Sequence, residues 1–285
     1  MALRGLRARL RNWLLGRKAY KFFIRDWQAL GDLQRAADAM ATLRFSRSLV
    51  PVNLPGPSGR RLAVVAPHPD DEIMGPGGTL IRALDAGAAV RTIYLSRGRD
   101  GAAGDVLQAE AASVAARLGY EAVFLGHPLR GIALDAAAVD AFAAAVVAGR
   151  PDALFIPFLL DDHDDHRRAS EMLLAACARG RLDPALEVWA YQVYTTLPGN
   201  VIVDITDVAA RKADAIRGFA SQAHIRDWAH WALGLNAFNC RFLAGPGARY
   251  AEAFFVLPLG EYAELARAYF APGARVYHER NYSAG

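Results

Sequence analysis

Short apolar runs alternate with longer stretches of helical periodicity from residue 61 onward. Strands are predicted where turn residues bound the apolar runs, at 61–67, 90–95, 122–125, 153–158, 187–194, 201–205 and 253–257. Helices are predicted where apolar positions recur at three- and four-residue steps, at 77–86, 106–118, 136–148, 168–179, 207–222 and 261–270. Strands that alternate with helices are typical of βαβ units. The predicted fold class is therefore α/β, a Rossmann-like, mostly parallel sheet flanked by helices.

The order of these elements predicts where a ligand would bind. Right-handed crossovers bring the loops after the first and the fourth strand to the same edge of the sheet. Ligands of such open sheets bind outside the carboxyl ends of the strands. We therefore expect the catalytic or ligand-binding residues of this chain at that edge.

Two motifs rich in metal-binding side chains follow these two strands. The first is His68-Pro69-Asp70-Asp71-Glu72, and the second is Asp161-Asp162-His163-Asp164-Asp165-His166. Two histidines and a carboxylate, with one position left open, are typical of catalytic zinc sites. Each motif alone is also typical of a turn whose acids cap the following helix. The spacing leaves open which of Asp70 and Asp71 would bind the metal.

Together with Gly77-Gly78, the two motifs resemble the PIG-L/LmbE family of zinc-dependent de-N-acetylases, over roughly residues 61–260. The resemblance implies a metal site whose ligands are His68, Asp71 and His166. Zn²⁺ is the metal that the family implies, and Fe²⁺ is accepted by similar sites. The segment 250–254 also resembles one found near the end of many members.

The resemblance also implies catalytic roles for residues beside the metal. Asp70 would be the general base, and a protonated His163 would stabilise the oxyanion or protonate the leaving amine. Asp165 would tune His163, and Glu72 would lie behind these groups. The reaction implied is removal of the acetyl group from an N-acetylated amino sugar.

The loops around the site depart from the family pattern and leave the substrate open. The turn after the second strand is 96–101, Leu107 stands where many members have arginine, and 127–130 replaces an aspartate that holds substrate hydroxyls. A lipid-linked or glycolipid GlcNAc is the preferred substrate. The alternatives are a soluble GlcNAc conjugate, such as a thiol-cofactor or antibiotic precursor, and a non-catalytic membrane-docked binding protein.

Several other residues near this edge have two interpretations. Arg97, Arg99 and Arg130 are placed to hold a phosphate, but solvated surface arginines are as common. Trp228 and Trp231 are placed to line a groove for a sugar or a lipid, but aromatic residues on a helix more often belong to the core.

Composition narrows the class of protein. With 53% hydrophobic and 22% charged residues, the chain is neither disordered nor collagen-like. Its two cysteines are too few for a disulfide scaffold or a cysteine-built zinc site. No apolar stretch reaches the ~18 residues that a membrane span needs.

Positive charge is concentrated at the start of the chain. Residues 1–50 hold 11 Lys/Arg and 3 Asp, a net charge of +8, whereas the remaining 22 Lys/Arg and 26 Asp/Glu give −4. The body has no basic stripe, so nucleic acid is not an expected partner. We expect a basic helical extension over residues 1–60 and a deacetylase domain over 61–285.

The extension has the apolar spacing of an amphipathic helix at Leu3, Leu6, Leu10, Trp13 and Leu14. Such a basic helix is typical of segments that bind an anionic membrane surface, here through residues 1–28. The alternative, to which we give equal weight, is that this helix packs on the folded domain and exposes its charges to water. The expected location is cytoplasmic, with peripheral attachment to the inner face of the membrane if the helix binds lipid.

Overall fold

A computed structural model describes residues 51–270 of the chain. The predicted amphipathic helix of the extension lies outside the described residues. Among those that are described, no helix is both long and apolar enough to cross a membrane.

One eight-stranded sheet forms the centre of the fold. Its strands are β1 Val52–Asn53, β2 Arg61–Ala66, β3 Ala89–Ser96, β4 Glu121–His127, β5 Ala153–Pro157, β6 Glu187–Tyr191, β7 Val201–Asp204 and β8 Ala251–Pro258. They lie side by side in the order β1-β7-β8-β6-β5-β2-β3-β4. All pairings are parallel except those of β8, which runs antiparallel to β6 and β7. The predicted α/β class and mostly parallel sheet are confirmed.

The central strands are apolar on both faces because helices cover both sides of the sheet. Strands β2 and β5 are buried almost end to end. One core cluster includes Val65, Ile93 and Phe142, and the cluster on the other face includes Val64, Tyr94 and Trp189. A strand whose alternate side chains face two cores needs a continuous apolar run, which is why these strands could be predicted from the sequence.

Six of the eight helices in the described residues overlap predicted helices, whereas the first and the seventh were not predicted. They are α1 Asp71–Met74, α2 Gly77–Asp85, α3 Gly101–Leu118, α4 Ala136–Ala148, α5 Asp164–Ala178, α6 Ala209–Arg217, α7 Trp228–Asn239 and α8 Leu259–Tyr269. Helix α3 ends at Gly119, whose φ of 86° is the left-handed conformation that glycine tolerates best. The predicted helix over 207–222 is divided into α6 and a 3₁₀ turn at Ala220–Gln222.

Three local predictions were wrong. The second motif was expected in a loop followed by a helix from about residue 168, but α5 already begins at Asp164. The first motif continues into the short helix α1, which the periodicity did not predict. Strand β1 lies inside the predicted extension and pairs with β7 at one edge of the sheet.

Candidate active site

The two motifs meet because β2 and β5 are parallel neighbours whose carboxyl ends share one edge. His68 follows β2, whereas His163 and His166 lie at and just inside the start of α5. The ring centroids are 4.6 Å apart for His68–His163, 5.3 Å for His68–His166 and 5.1 Å for His163–His166. One nitrogen of each ring lies within 4.8 Å of the others, so the three rings could share a metal ion.

His68 is held on both sides by carboxylates. Its Nδ1 lies 3.1 Å from Asp71 Oδ2, and its backbone N–H donates to the same oxygen at 2.9 Å. Its Nε2 lies 2.8 Å from Asp165 Oδ2. Burial disfavours the charged ring, but the two carboxylates outweigh burial and raise the pKa of His68 to about 9. The pocket therefore favours positive charge.

His166 and Asp71 carry the clearest indication of a cation site. His166 Nε2 lies 3.2 Å from Asp71 Oδ2, and its Nδ1 lies 3.1 Å from Asp161 Oδ1, but neither contact has hydrogen-bond geometry. Asp71 Oδ1 is buried without any hydrogen-bond partner among the described residues. Buried polar atoms are normally satisfied. Imidazole nitrogens and carboxylate oxygens are ligands of Zn²⁺ and Fe²⁺, so this donor set fits such an ion.

Asp70 precedes α1 in a strained conformation. Its φ of 110° is rare for a residue other than glycine, and such strain is often retained at functional positions. The Asp70 N–H donates to Glu72 Oε2 at 3.0 Å, which fixes this backbone. Burial, together with the negative charges of Asp71 and Glu72, raises the pKa of Asp70 well above its usual range.

Glu72 is fully buried behind Asp70. Its Oε1 accepts a hydrogen bond from Tyr120 Oη at 2.9 Å, and Tyr120 Oη lies 3.2 Å from Tyr94 Oη. Burial raises the pKa of Glu72 to about 7, while the two tyrosine hydroxyls oppose the shift. A chain of hydroxyl groups thus supports the carboxylate that holds Asp70.

The His163 ring caps the start of α5 through its Nδ1 atom. Its Nδ1 accepts a hydrogen bond from the Asp165 N–H at 3.1 Å, so a neutral ring carries its proton on Nε2. Burial lowers the pKa of His163 well below its usual value, and the positive charges of His68 and His166 lower it further. While Nδ1 accepts this hydrogen bond, Nε2–H is the donor that the ring can offer to a ligand. The Asp165 side chain contacts His68, and only its backbone N–H hydrogen-bonds His163.

The three arginines of this edge have different surroundings. Arg97 forms an ion pair with Asp105, and Arg99 donates to Gln222 Oε1 at 3.1 Å. Arg130 is exposed, and its backbone N–H donates to Asp165 Oδ2 at 3.1 Å. The guanidinium groups of Arg97 and Arg99 thus already have protein partners on two different elements.

Two residues with contacts in the site were not predicted to act there. The carboxylate of Asp161 accepts from the N–H groups of His163 at 3.2 Å and of Tyr194 at 3.0 Å, which ties the second motif to the end of β6. The Tyr194 ring stacks on His166 at 5.3 Å between centroids. Tyr194 is the last residue of the predicted strand 187–194, and this position was a usable signal because ligands are expected at the carboxyl ends of the strands.

The buried ion pair of Lys212 and Glu252 holds the segment that directly follows the first motif. Glu252 of β8 accepts from Gly78 N at 2.7 Å, from Thr79 N at 2.8 Å and from Thr79 Oγ1 at 2.6 Å. Lys212 Nζ of α6 lies 2.7 Å from Glu252 Oε1 and donates to Gly75 O at 2.9 Å. The C-terminal strand thus fixes the start of α2, directly after the motif.

Comparison with known proteins confirms the resemblance to the PIG-L family. Residues 63–177 match the family model of PIG-L, described as GlcNAc-PI de-N-acetylase. A diacetylchitobiose deacetylase of Thermococcus kodakarensis is 28% identical in an alignment of 236 residues that covers 73% of this chain and 86% of that protein. The segment that matches the family model contains both motifs.

Solved structures share the fold. The conserved protein TT1542 of Thermus thermophilus is similar with a TM-score of 0.61 and 29% identity, over 70% of this chain and 96% of that chain. The N,N'-diacetylchitobiose deacetylase of Pyrococcus horikoshii also has a TM-score of 0.61, with 24% identity over 72% of this chain and 86% of that chain. The likeness covers most of each neighbour's length.

Proposed function

We propose that this chain, whose residues 63–177 match the PIG-L family model, is a metal-dependent hydrolase that removes the acetyl group from an N-acetylated amino sugar of the GlcNAc type. The observation that carries the proposal is the histidine–carboxylate cluster with the strained, half-buried Asp70 beside it. A metal-binding module needs no second aspartate at such a position. The similarity to a deacetylase over most of that protein's length supports the same reaction class.

We assign the metal to His68, Asp71 and His166. Asp71 Oδ1 and both ring nitrogens of His166 are buried atoms that lack hydrogen bonds. His163 is left out because the N–H of Asp165 occupies its Nδ1 and its Nε2–H is needed as a donor. When bound, Zn²⁺ or Fe²⁺ would polarise the acetamide carbonyl and lower the pKa of a water molecule.

One proton of the water molecule is then transferred to the amide nitrogen, and Asp70 carries it. Asp70 takes it from the water as the oxygen attacks the carbonyl carbon, and the burial and negative neighbours that raise its pKa make it a stronger base than a free aspartate. The neutral His163 donates from Nε2 to the developing oxyanion, a contact that strengthens in the transition state. Asp70 returns the proton to nitrogen, the C–N bond breaks, and acetate and the free amine leave.

The test measures metal content and acetate release together for wild type and Asp70→Ala. We expect about one metal ion per chain in both proteins, and acetate release from N-acetylglucosamine compounds in the wild type alone. Asp140→Ala, an exposed carboxylate on α4, is the matched control and should behave as wild type. Near-normal turnover of Asp70→Ala with metal bound would refute the assigned base. Metal without acetate from any compound would favour a binding protein.

For the substrate we propose a lipid-linked or glycolipid GlcNAc, which the basic composition of residues 1–50 supports. A soluble GlcNAc conjugate is the alternative. Acetate release from the same sugar with and without a lipid group distinguishes the two. Peripheral membrane binding through residues 1–28 is tested by flotation with anionic liposomes, and unchanged binding after deletion of these residues would refute it.

A further inference from the structure

A patch of aromatic and basic side chains is exposed at the end of α7. Phe238 of α7 is 52% exposed, and Phe242 of the following 3₁₀ turn, Cys240–Phe242, is 42% exposed. Every other phenylalanine, tyrosine or tryptophan of the described residues is buried or half-buried. The Arg241 guanidinium contacts both rings, at 3.7 Å from the Phe238 centroid and 4.2 Å from the Phe242 centroid. We call Phe238, Arg241 and Phe242 the α7 patch.

The rest of this face of α7 carries no acidic group. The exposed positions of the helix are His230, Gly234, Ala237 and Phe238, which lie three or four residues apart or adjacent and so form one stripe. Solvent-facing stripes of globular helices usually carry charged and polar side chains. The stripe on α7 instead leads from a histidine over small residues to the exposed rings.

Positive charge surrounds the α7 patch. Residues 218–250 have a net charge of +2, from one acid, Asp227, and three exposed arginines, Arg226, Arg241 and Arg249. Arg241 donates one N–H to Phe238 O at 3.0 Å, and a guanidinium has five such donors. The α7 patch therefore combines apolar rings with a cation that retains donors for an anionic group.

We propose that the α7 patch binds an anionic lipid surface and holds the folded domain against it. Exposed aromatic rings insert at the boundary between lipid headgroups and acyl chains, and arginines are attracted to the anionic headgroups. The α7 patch is separate from residues 1–28, and its binding does not depend on the proposed reaction. Two weak membrane contacts on one chain act together, so the α7 patch would strengthen any attachment through the basic extension.

A second copy of this chain fits the α7 patch less well. Most closed dimers have twofold symmetry, which places the same surface on both sides of the interface. Such an interface would bring the arginines of one copy towards those of the other, and like charges across an interface are costly. Stable protein interfaces also involve about 20–30 residues on each side, far more than the α7 patch contains. An anionic bilayer complements the charge and needs only a small contact.

Cosedimentation of the full chain with lipid vesicles tests the proposal. The vesicles contain roughly three parts phosphatidylcholine and one part phosphatidylglycerol, with pure phosphatidylcholine as the neutral comparison. We expect Arg241→Gln to lower the partition coefficient about fivefold on the anionic vesicles only, the effect of one arginine near such a surface. The double variant Phe238→Ser/Phe242→Ser should lower it about tenfold on the anionic vesicles, because two exposed rings no longer insert.

Matched controls remove the same side-chain types elsewhere on the domain. Val147→Ser removes an exposed apolar side chain of α4, and Arg267→Gln removes an exposed arginine of α8. Both should bind the vesicles as wild type does. Residues 1–28 are unchanged in all these proteins, so differences in partitioning report on the α7 patch.

Phe238→Trp locates the contact with a conservative change. Brominated lipid in the anionic vesicles should quench its fluorescence more strongly than that of wild type. No binding of wild type, wild-type partitioning of the double serine variant, or equal quenching of Phe238→Trp and wild type would overturn the proposal. A dimer in sedimentation equilibrium that Phe238→Ser dissociates would overturn it in favour of a second copy. None of these measurements requires acetate release, so they stand apart from the test of the deacetylase.

Discussion

His68 can bind a metal ion through only one of its ring nitrogens, and Asp165 is positioned to decide which. Asp165 Oδ2 contacts Nε2 at 2.8 Å, which leaves Nδ1 facing Asp71. A carboxylate behind a metal-bound histidine fixes the tautomer and the orientation of the ring. The first prediction concerns this contact. We expect Asp165 to affect the affinity for the metal rather than the proton transfer by His163.

We expect Asp165→Asn to lower metal affinity by about 10- to 100-fold, the usual effect of removing such a support. Competition titration against a chromogenic chelator measures the affinity directly. Asp140→Asn, which removes an exposed carboxylate, should leave affinity unchanged. Wild-type affinity in Asp165→Asn, with a shifted pH profile of acetate release, would return Asp165 to the role of tuning His163.

The Tyr120 hydroxyl donates a hydrogen bond to Glu72, and Glu72 in turn accepts one from the backbone of Asp70. Tyr120→Phe removes the hydroxyl that donates to Glu72 Oε1, so we expect a loss of about 1–3 kcal/mol of unfolding free energy. We also expect a lower kcat with unchanged metal content, because the backbone of Asp70 loses its support. Urea unfolding and acetate release are the two measurements.

Thr92→Val is the control for Tyr120→Phe. The Thr92 hydroxyl is buried on β3 and has no hydrogen-bond partner among the described residues, so its removal should leave kcat unchanged and stability equal or higher. If Tyr120→Phe loses stability but keeps the wild-type kcat, the chain of hydroxyls is structural only.

At the scale of elements, the strands and most helices could be predicted because their apolar periodicity is strong. The start of α5 could not be predicted, because its N-cap residue is of an unusual type. Helices usually begin after Ser, Thr, Asp or Asn, but here the ring of His163 accepts the Asp165 N–H as the cap. Helix α1 has only four residues, too few for a periodic signal. The motifs were visible from residue types, whereas the contact of Asp165 with His68 depends on the folded geometry.

Two glycines in different helices give a paired prediction. A Cβ on Gly78 of α2 would lie 2.7 Å from Ile205 Cγ2 and 2.8 Å from Ile205 Cβ. A Cβ on Gly234 of α7 would meet nothing within 4 Å among the described residues. We expect Gly78→Ala to cost about 1–3 kcal/mol through overpacking. Gly234→Ala should gain about 1 kcal/mol from helix propensity.

Thermal and urea unfolding of the two variants check this pair. Because Gly78 follows the first motif, Gly78→Ala should also reduce acetate release, whereas Gly234→Ala should not. A Gly78→Ala protein of unchanged stability would show that α2 can move away from Ile205 without cost.

Across the whole molecule, the C-terminal half supports a site whose proposed ligands all come from residues 68–166. The sequence indicated the segment 250–254 only through its family resemblance. The partner of Glu252 could not be found in this way, because Lys212 lies 40 positions earlier in an amphipathic helix, where a lysine predicts a solvated side chain. The ammonium group is buried in the fold because α6 packs on α1 and α2.

The last prediction concerns this buried pair. Lys212→Met leaves the Glu252 carboxylate buried with its three donors but without a cation, and Glu252→Gln leaves the Lys212 ammonium buried without a counter-charge. Breaking a buried pair from either side costs about 3–5 kcal/mol, because the remaining charge is not compensated. The double variant should cost clearly less than the two single losses together, since it buries no net charge. Urea unfolding of the four proteins measures the coupling, and additive losses would mean that the pair contributes packing rather than electrostatic stability.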